Sequence, residues 1–293
     1  MNNYISLING KFSNSVSVLD RGLSYGDGLF ETMSWCYLKE KRMVAVEFWI
    51  RHIKRLKKSC SLAKINFPSA NILNKYRKII LKKCLDKGML EGVLKIMITR
   101  GVGGRGYKFD KNMNPTIIFL TFPKKNINKR IINEGVNLRF CKSPISTNSQ
   151  LAGLKHLNRM DSVMARSEWE KDDFFDGVML DDSENIVDGT MTNLFFIRNK
   201  ILYTPLLRNS GINGIMRQVI IDKAKLFFDQ VYEIEIKKNS ISTFDEMFIT
   251  NSLIKILPVR KLSSVKFKTS DYTKSLIDFF LKKDTKFHHL ELV

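Results

Sequence analysis

The stretch "LAGLKHLNRM" (residues 151–160) decides how this chain is interpreted, because it sets one lysine between two leucines. Most lysines lie in solvent on the surface of a protein. Lys155, however, stands where an extended segment ends and a helix is predicted to begin, and the flanking Leu154 and Leu157 are predicted to pack into the core. Lys155 is therefore a candidate nucleophile, and the alternative is an ordinary surface lysine.

The length and composition favour an ordinary globular protein. A chain of 293 residues can bury a large core in one large or two medium domains. Its first ten residues lack the basic start and apolar run of a signal peptide, and no apolar run approaches the ~20 residues that span a bilayer. The four cysteines fit no metal-ligand spacing and are expected to be reduced, mostly buried thiols. We therefore expect a cytoplasmic protein with no membrane segment and no metal site.

The net charge of +20 raises the question of nucleic-acid binding. Basic residues cluster at 51–59, 75–83 and 122–130, yet they recur along the whole chain instead of forming one tail or stripe. No zinc finger, RNP-type aromatic motif or basic zipper accompanies them. We expect solvated basic faces that attract anionic metabolites, and no nucleic-acid partner. A polyanion- or nucleic-acid-binding module is the alternative that charge alone supports.

Hydrophobic periodicity predicts strands and helices that take turns along the chain, as in a mixed α/β (α+β) protein. Strands are predicted at 4–10, 42–48, 92–101, 115–123, 136–142, 175–182, 194–199, 231–236 and 245–251. Helices are predicted at 48–63, 70–88, about 157–171, 213–230 and 271–283. The polar stretch 123–133, which carries proline and lysine, is the predicted interdomain linker. It separates a small N-terminal domain (1–122) from a large C-terminal domain (134–293).

Several functional groups stand at the predicted ends of elements, where a ligand can reach them. Asp188 precedes an apolar strand, "SGINGIMR" (210–217) opens a helix, and "MFITNSL" (247–253) delivers polar residues just after a strand. The free N–H groups of a helix N-terminus favour a phosphate. Together with Lys155, a carboxylate and a phosphate cradle suit pyridoxal 5′-phosphate. The alternatives are a turn aspartate before glycine and a helix simply capped by Asn213.

The order of the motifs strengthens this interpretation. They are, from the N-terminus, "LDRGLSYGDGLFET" (19–32), "RHIKRL" (51–56), "VLKIMITRGVGGRGY" (93–107), "LAGLKHLNRMDSVMARSEW" (151–169), "DGTMTNLF" (188–195), "NGIMRQ" (213–218) and "DEMFITNSL" (245–253). Almost end to end, the chain resembles the fold-type IV pyridoxal-phosphate enzymes, a family of branched-chain and D-amino-acid aminotransferases and aminodeoxychorismate lyases. "GGRGY", "LAGLKHLNR" and "NGIMRQ" are most similar to the lyase branch.

The resemblance implies a two-domain protein with the cofactor at the domain interface, and it assigns roles to the cofactor-binding residues. Lys155 would be the Schiff-base lysine. The phosphate would be bound by Arg55, by the backbone amides of Ile215 and Met216, and by Ser252. Asp188 falls where the family carries the carboxylate that meets the pyridine nitrogen. The family usually has glutamate there, so this chain is shorter by one methylene.

The resemblance also implies a substrate and a reaction. Arg105 and Tyr107 fall where relatives hold substrate carboxylates, and Thr32 matches a threonine associated with the lyases. The implied activity converts 4-amino-4-deoxychorismate, an anionic dicarboxylate, to 4-aminobenzoate and pyruvate for folate synthesis, in a homodimer. Lys155 would remove the ring proton, and Lys155 or Thr32 would protonate the leaving fragment. An amino-acid aminotransferase on the same fold is the nearest alternative.

Overall fold

The computed structural model describes residues 4–125, 127–170, 173–268, 271–281 and 290–292. Its strands are β1 (Ile5–Ile8), β2 (Lys11–Phe12), β3 (Gly28–Leu38), β4 (Met43–Glu47), β5 (Glu91–Thr99), β6 (Thr116–Phe122), β7 (Val136–Phe140), β8 (Asp176–Leu180), β9 (Asn185–Gly189), β10 (Asn193–Arg198), β11 (Ile201–Pro205), β12 (Gln230–Ile234), β13 (Ile236–Lys237), β14 (Glu246–Asn251), β15 (Lys255–Leu262), β16 (Val265–Lys266) and β17 (Leu290–Leu292). Its helices are α1 (Arg21–Tyr25), α2 (Trp49–Leu62), α3 (Ala70–Asp86), α4 (Lys129–Glu134), α5 (Met160–Arg166), α6 (Ile215–Lys223) and α7 (Asp271–Leu281), with short 3-10 helices at Ala224–Leu226 and Lys238–Thr243.

These elements form two compact units, each built on one sheet. The first unit contains the described residues of 1–125, 155–158 and 287–293, and the second contains those of 126–154 and 159–286. The mixed α/β, two-domain fold is therefore as predicted. The limits of the domains differ from the prediction in two places. Residues 155–158 and the strand β17 belong to the first unit, because they pair with strands of its sheet, and the predicted linker contains the helix α4.

The first sheet is antiparallel throughout and has the order β17-β4-β3-β5-β6-β1-β2. Side chains alternate between the faces of a strand, and Leu29, Met33 and Trp35 of β3 belong to the buried core. That core also holds Leu56 of α2 and Leu73 of α3. The two helices therefore cover one face of this sheet, which also holds Glu31, and the even-numbered residues Phe30, Thr32 and Ser34 of β3 lie on its other face.

The second sheet is mixed and has the order β12-β11-β10-β14-β15-β7-β8-β9-β13, with β16 paired to β15. Its pairs β11–β12, β7–β15 and β7–β8 are parallel, and the others are antiparallel. Phe195 of β10 and Phe248 of β14 are fully buried and stack across the two strands, with 4.9 Å between their ring centroids. The pairing of β10 with β14 sets Asn193 opposite Thr250, at one end of the sheet.

Some predicted elements are wrong in ways that matter for the site. The helix expected from Leu157 begins only at Met160 and ends at Arg166, because the backbone of Leu157 bonds to β3 instead. The long strands β3 and β15 were not predicted, and neither were β9 and β11. All four cysteines are free thiols, and Cys36 alone is not fully buried. No helix among the described residues has the length and hydrophobicity to cross a membrane.

Candidate active site

Lys155 is fixed to a rigid strand of the first unit. The backbone N–H of Phe30 donates to the Lys155 carbonyl at 2.9 Å, and the N–H of Leu157 donates to the Gly28 carbonyl at 2.9 Å. The residues between them, Leu29 and His156, form an antiparallel bridge. The half-buried Lys155 side chain places Nζ 4.2 Å from the centroid of the Phe30 ring. The lysine is thus held by backbone pairing, as a reactive amine on a rigid element requires.

A second lysine approaches the same ring. Thr32 lies two residues beyond Phe30 and therefore on the same face of β3, and its partner across the sheet is Lys95. The Lys95 Nζ atom is 4.9 Å from the Phe30 centroid, and burial lowers the pKa of Lys95. One face of the sheet therefore brings together Lys155, Thr32 and Lys95. The sequence analysis missed Lys95, although a lone lysine within the apolar strand "GVLKIMIT" was a signal.

Arg55 lies on α2 and binds a carboxylate on the opposite face of β3. Its Nε donates to Glu31 Oε1 at 2.7 Å, and its Nη2 also bonds to Glu31. His52 Nδ1 lies 2.6 Å from Glu31 Oε2. Burial by itself raises the pKa of Glu31, but the charges of Arg55 and His52 and their hydrogen bonds outweigh it and lower that pKa to about 2. The buried guanidinium is therefore fixed in place by an ionised glutamate, which the sequence analysis did not single out.

The loop of the first unit that carries the predicted substrate-binding residues is anchored through its backbone. Arg21 is buried, and its Nη1 donates to the Gly106 carbonyl at 2.8 Å. The Gly106 N–H donates to the Tyr25 hydroxyl at 2.9 Å. The side chains of Arg105 and Tyr107 are exposed, Tyr107 to 85%. Within the first unit, the structure thus leaves both side chains open to solvent.

Asp188 lies within the strand β9 of the second unit and is only 5% exposed, so it is not the turn residue of the alternative interpretation. Its Oδ1 accepts a hydrogen bond from Asn193 Nδ2 at 2.6 Å, and its Oδ2 accepts one from the Ile212 N–H at 2.8 Å. Burial raises the pKa of Asp188 to about 7, against the effect of these two bonds and of the Arg217 charge. A buried carboxylate with two neutral donors would be stabilised by a nearby cation.

The helix α6 begins after a residue without a side chain. Gly214 is the N-cap residue and so makes no side-chain cap hydrogen bond. Asn213, the predicted alternative cap, precedes the N-cap position, and its Oδ1 accepts a long hydrogen bond from Arg217 Nη1 at 3.4 Å. The first N–H groups of a helix have no acceptor within the helix. The amides of Ile215 and Met216 are therefore suited to an anion, as predicted from the motif.

Ser252 follows β14 in a turn that Asn251 organises. The Asn251 Oδ1 atom accepts hydrogen bonds from the N–H groups of Leu253 and Ile254, both at 2.9 Å. Asn251 Nδ2 also donates to the Met191 carbonyl at 3.2 Å, between β9 and β10. The turn with Ser252 is thus tied to the segment that joins Asp188 to Asn193. In the second unit the structure brings these predicted residues to one end of the sheet.

Comparison with known proteins places this arrangement in a family. The amino-transferase class IV family matches residues 28–262. The chain is similar to an aminodeoxychorismate lyase of Vibrio harveyi, with 30% identity over 95% of this chain and 96% of that protein. It is also similar to a putative branched-chain-amino-acid aminotransferase of Methanocaldococcus jannaschii, with 29% identity over 86% of this chain and 85% of that protein.

The structure is similar to that of 4-amino-4-deoxychorismate lyase from Pseudomonas aeruginosa. The TM-score is 0.87 and the sequence identity is 32%, over 96% of this chain and 99% of that one. The match of the family runs from the first residue of β3 to the last residue of β15 and so includes strands of both sheets. The chain belongs to the amino-transferase class IV family, whose members share the fold-type IV architecture described above.

Proposed function

We propose that this protein is a pyridoxal-phosphate-dependent lyase that converts 4-amino-4-deoxychorismate to 4-aminobenzoate and pyruvate. The observation that carries the proposal is the face of the first sheet that holds Lys155, Thr32 and Lys95 around Phe30. It combines a reactive amine, a hydroxyl and a second cation. Two lyase relatives at 30% and 32% identity, both matched over nearly the full chain, support the same reaction.

The residues present fit the cofactor that the family uses, pyridoxal 5′-phosphate. Asp188 is a buried carboxylate with a raised pKa. The Asn193 and Ile212 groups that donate to it are neutral, and a protonated pyridine nitrogen would be a cationic donor. The uncapped N-terminus of α6 suits a phosphate. We propose that Arg55 and Ser252 bind the same phosphate. The guanidinium that Glu31 holds in place gives Arg55 a fixed orientation for that contact.

The bound cofactor would supply an electrophilic carbon and an electron sink. We propose that Lys155 Nζ holds the cofactor and, once the substrate amine replaces it, removes the proton from the ring carbon that bears the amine. The ring becomes aromatic as the enolpyruvyl group leaves. Lys155 or the Thr32 hydroxyl returns a proton to that group, so that no net proton is lost. The Asp188 carboxylate would stabilise the protonated pyridine nitrogen of the bound cofactor.

The substrate has two carboxylates, and we propose that Lys95 binds one of them beside Phe30. An anion would offset the burial that lowers the pKa of Lys95. Arg105 and Tyr107 are proposed to bind substrate as well, from the exposed loop that Arg21 anchors. We also propose a homodimer, as the resemblance implies, and a cytoplasmic location, as the composition and the cysteines led us to expect.

The test is a product assay with aminodeoxychorismate as the substrate. A lyase releases pyruvate and 4-aminobenzoate in equal amounts, and it exchanges little amino group between amino acids and keto acids. An aminotransferase, the second candidate because of the relative at 29% identity, would instead convert a bound amino acid to its keto acid. The proposed lyase activity would be refuted if the protein released keto acid from leucine but released no 4-aminobenzoate from aminodeoxychorismate.

Two variants of β3 test the role of the Thr32 hydroxyl. Thr32→Val removes the hydroxyl at nearly constant volume and should lower the lyase rate, while Thr32→Ser should retain most of it. Ser34→Ala is the matched control, since Ser34 also lies on β3, two residues further on, and its buried hydroxyl has no hydrogen-bond partner. An equal rate in Thr32→Val and Ser34→Ala would reduce Thr32 to a packing role.

A further inference from the structure

Asn193, the first residue of β10, connects the carboxylate of β9 with the loop that leads into α6. Its buried side-chain amide donates to Asp188 Oδ1 at 2.6 Å and to the Ile212 carbonyl at 2.8 Å. The Ile212 N–H donates in turn to Asp188 Oδ2 at 2.8 Å. Three residues therefore form a closed ring of hydrogen bonds, in which both protons of the Asn193 amide and both oxygens of Asp188 take part.

Two glycines close the loop tightly around this ring. A Cβ atom on Gly214 would lie 2.1 Å from Asn193 Oδ1, so any side chain there would displace the asparagine. Gly211 has a φ of +84°, and a Cβ atom on it would lie 2.6 Å from Leu207 Cδ2 and 3.3 Å from Asp188 Oδ2. Only glycine suits such a conformation and such close contacts. Because Gly214 is also the N-cap of α6, the asparagine packs against the start of the helix itself.

We infer that Asn193 is a positioning residue that holds the Asp188 carboxylate and the N-terminus of α6 in one fixed arrangement. The inference rests on the proposed function, in which Asp188 meets the pyridine nitrogen and the α6 amides bind the phosphate. The Asn193 side chain would then fix the carboxylate at the pyridine end of the cofactor and the α6 amides at its phosphate end.

The ring also has an electrostatic consequence. The donors on Asn193 and Ile212 favour the ionised form of Asp188, whereas burial favours the protonated form. The charged groups near it are Arg217 on α6, Asp176 on β8 and Arg159 just before α5. Loss of the Asn193 donor would therefore raise the pKa of Asp188. At neutral and lower pH, less of the carboxylate would then be ionised to pair with a pyridinium.

The experiment compares cofactor binding by the wild type, Asn193→Ala and Asn185→Ala. The control is matched, because Asn185 lies on β9 with Asp188 and its amide also bonds to an aspartate, with Nδ2 2.9 Å from Asp181 Oδ2. Apo-proteins are titrated with pyridoxal 5′-phosphate and followed by absorbance at several pH values from about 6 to about 9. Urea unfolding of each apo-protein reports whether the variants remain folded.

Asn193→Ala should weaken binding about ten-fold near pH 6.5, as expected for the loss of one hydrogen bond to a charged group. The ratio of its dissociation constant to that of the wild type should fall as the pH rises and Asp188 ionises in both proteins. Asn185→Ala should bind within about two-fold of the wild type at every pH. If Asn193→Ala does not unfold cooperatively, Asn193→Ser takes its place, with the same expected pH dependence.

A dissociation-constant ratio that stays near one, or that does not change with pH, would overturn the inference, because damage to packing alone has no reason to follow the ionisation of Asp188. The proposed function fails separately. A wild-type protein that binds no pyridoxal 5′-phosphate at any pH refutes the function itself. Binding by the wild type with an equal constant for Asn193→Ala refutes only the role of Asn193.

Discussion

Replacing Asp188 with asparagine should stabilise the cofactor-free protein at alkaline pH, although it removes a charge from the candidate site. Burial raises the pKa of the Asp188 carboxyl from 3.8 to about 7. A carboxyl whose folded pKa is raised binds its proton more tightly in the folded protein than in the unfolded chain. The stability that this proton supplies is complete below pH 3.8 and is lost progressively as the pH rises towards and past the folded pKa of about 7.

The size of the effect follows from the two pKa values. Each pKa unit corresponds to ~1.4 kcal/mol, so an ionised Asp188 in the folded protein costs on the order of 4 kcal/mol above pH 7. About 3 kcal/mol of this cost develops between pH 5 and pH 8. Asparagine carries no such cost, but its amide group would face one of the two donors on Asn193 and Ile212, at a cost of about 1–3 kcal/mol. That second cost does not depend on pH, so a comparison between pH values isolates the carboxylate.

The assay is urea unfolding of the apo wild type and apo Asp188→Asn at about pH 5 and about pH 8. The free energy of unfolding of the variant, minus that of the wild type, should increase by about 3 kcal/mol from the lower to the higher pH. With the cofactor bound the order should reverse, because the pyridinium pairs with the carboxylate and not with the amide. A difference that is the same at both pH values would refute the buried, proton-binding Asp188 described here.

Lys155→Ala should abolish lyase turnover and leave the fold intact. Borohydride reduction of the wild type should place the cofactor adduct on the peptide that contains Lys155, and an adduct on another lysine would contradict the role of Lys155 as the Schiff-base lysine. Glu31→Gln should lower the free energy of unfolding at neutral pH by about 3 kcal/mol, since the pKa of Glu31 is lowered from 4.5 to about 2. The ionised Glu31 stabilises the wild type above pH 4.5, and this stabilisation is lost towards pH 2. If the variant and the wild type unfolded alike in acid, the prediction would be wrong. Lys95→Met should raise the KM for aminodeoxychorismate more than it lowers kcat, and an unchanged KM would remove Lys95 from the substrate site. Binding to duplex DNA should be weak and should fall steeply with salt, whereas tight, salt-resistant binding to one sequence would favour the nucleic-acid alternative.

The sequence predicted the parts of the site that local chemistry determines. Lys155 stands between two leucines, and the uncapped start of α6 follows a Gly-Ile-Asn-Gly motif; each signal lies within a few residues of the group that it marks. The regular helices α2 and α3 were predicted to within about two residues of their ends, because their apolar faces repeat at a helical spacing. These features need no knowledge of distant contacts.

The features that the sequence did not predict depend on pairing between distant segments. Leu157 looked like the start of a helix, but its N–H bonds to Gly28, 129 positions earlier in the chain. Asp188 looked like a turn residue before glycine, but it is a strand residue of β9, paired with Met179 on β8. Lys95 and Thr32 become neighbours only through the register of β3 with β5. Strand register is set by tertiary packing, so a short sequence window carries little information about it.

The two lysines beside Phe30 bear on the difference between the proposed lyase and a branched-chain aminotransferase. A branched-chain amino acid carries one carboxylate and the proposed dicarboxylate substrate carries two, while burial lowers the pKa of the half-buried Lys95 ammonium group. If another cation binds one carboxylate, the second carboxylate of the proposed substrate is left to offset the cost of burying Lys95 beside Phe30. Arg55 does not need an anion from the substrate in the same way, because Glu31 already balances its charge. Under the proposed function, Lys95 is therefore the residue whose replacement separates the two reactions, whereas the phosphate-binding groups would serve either one.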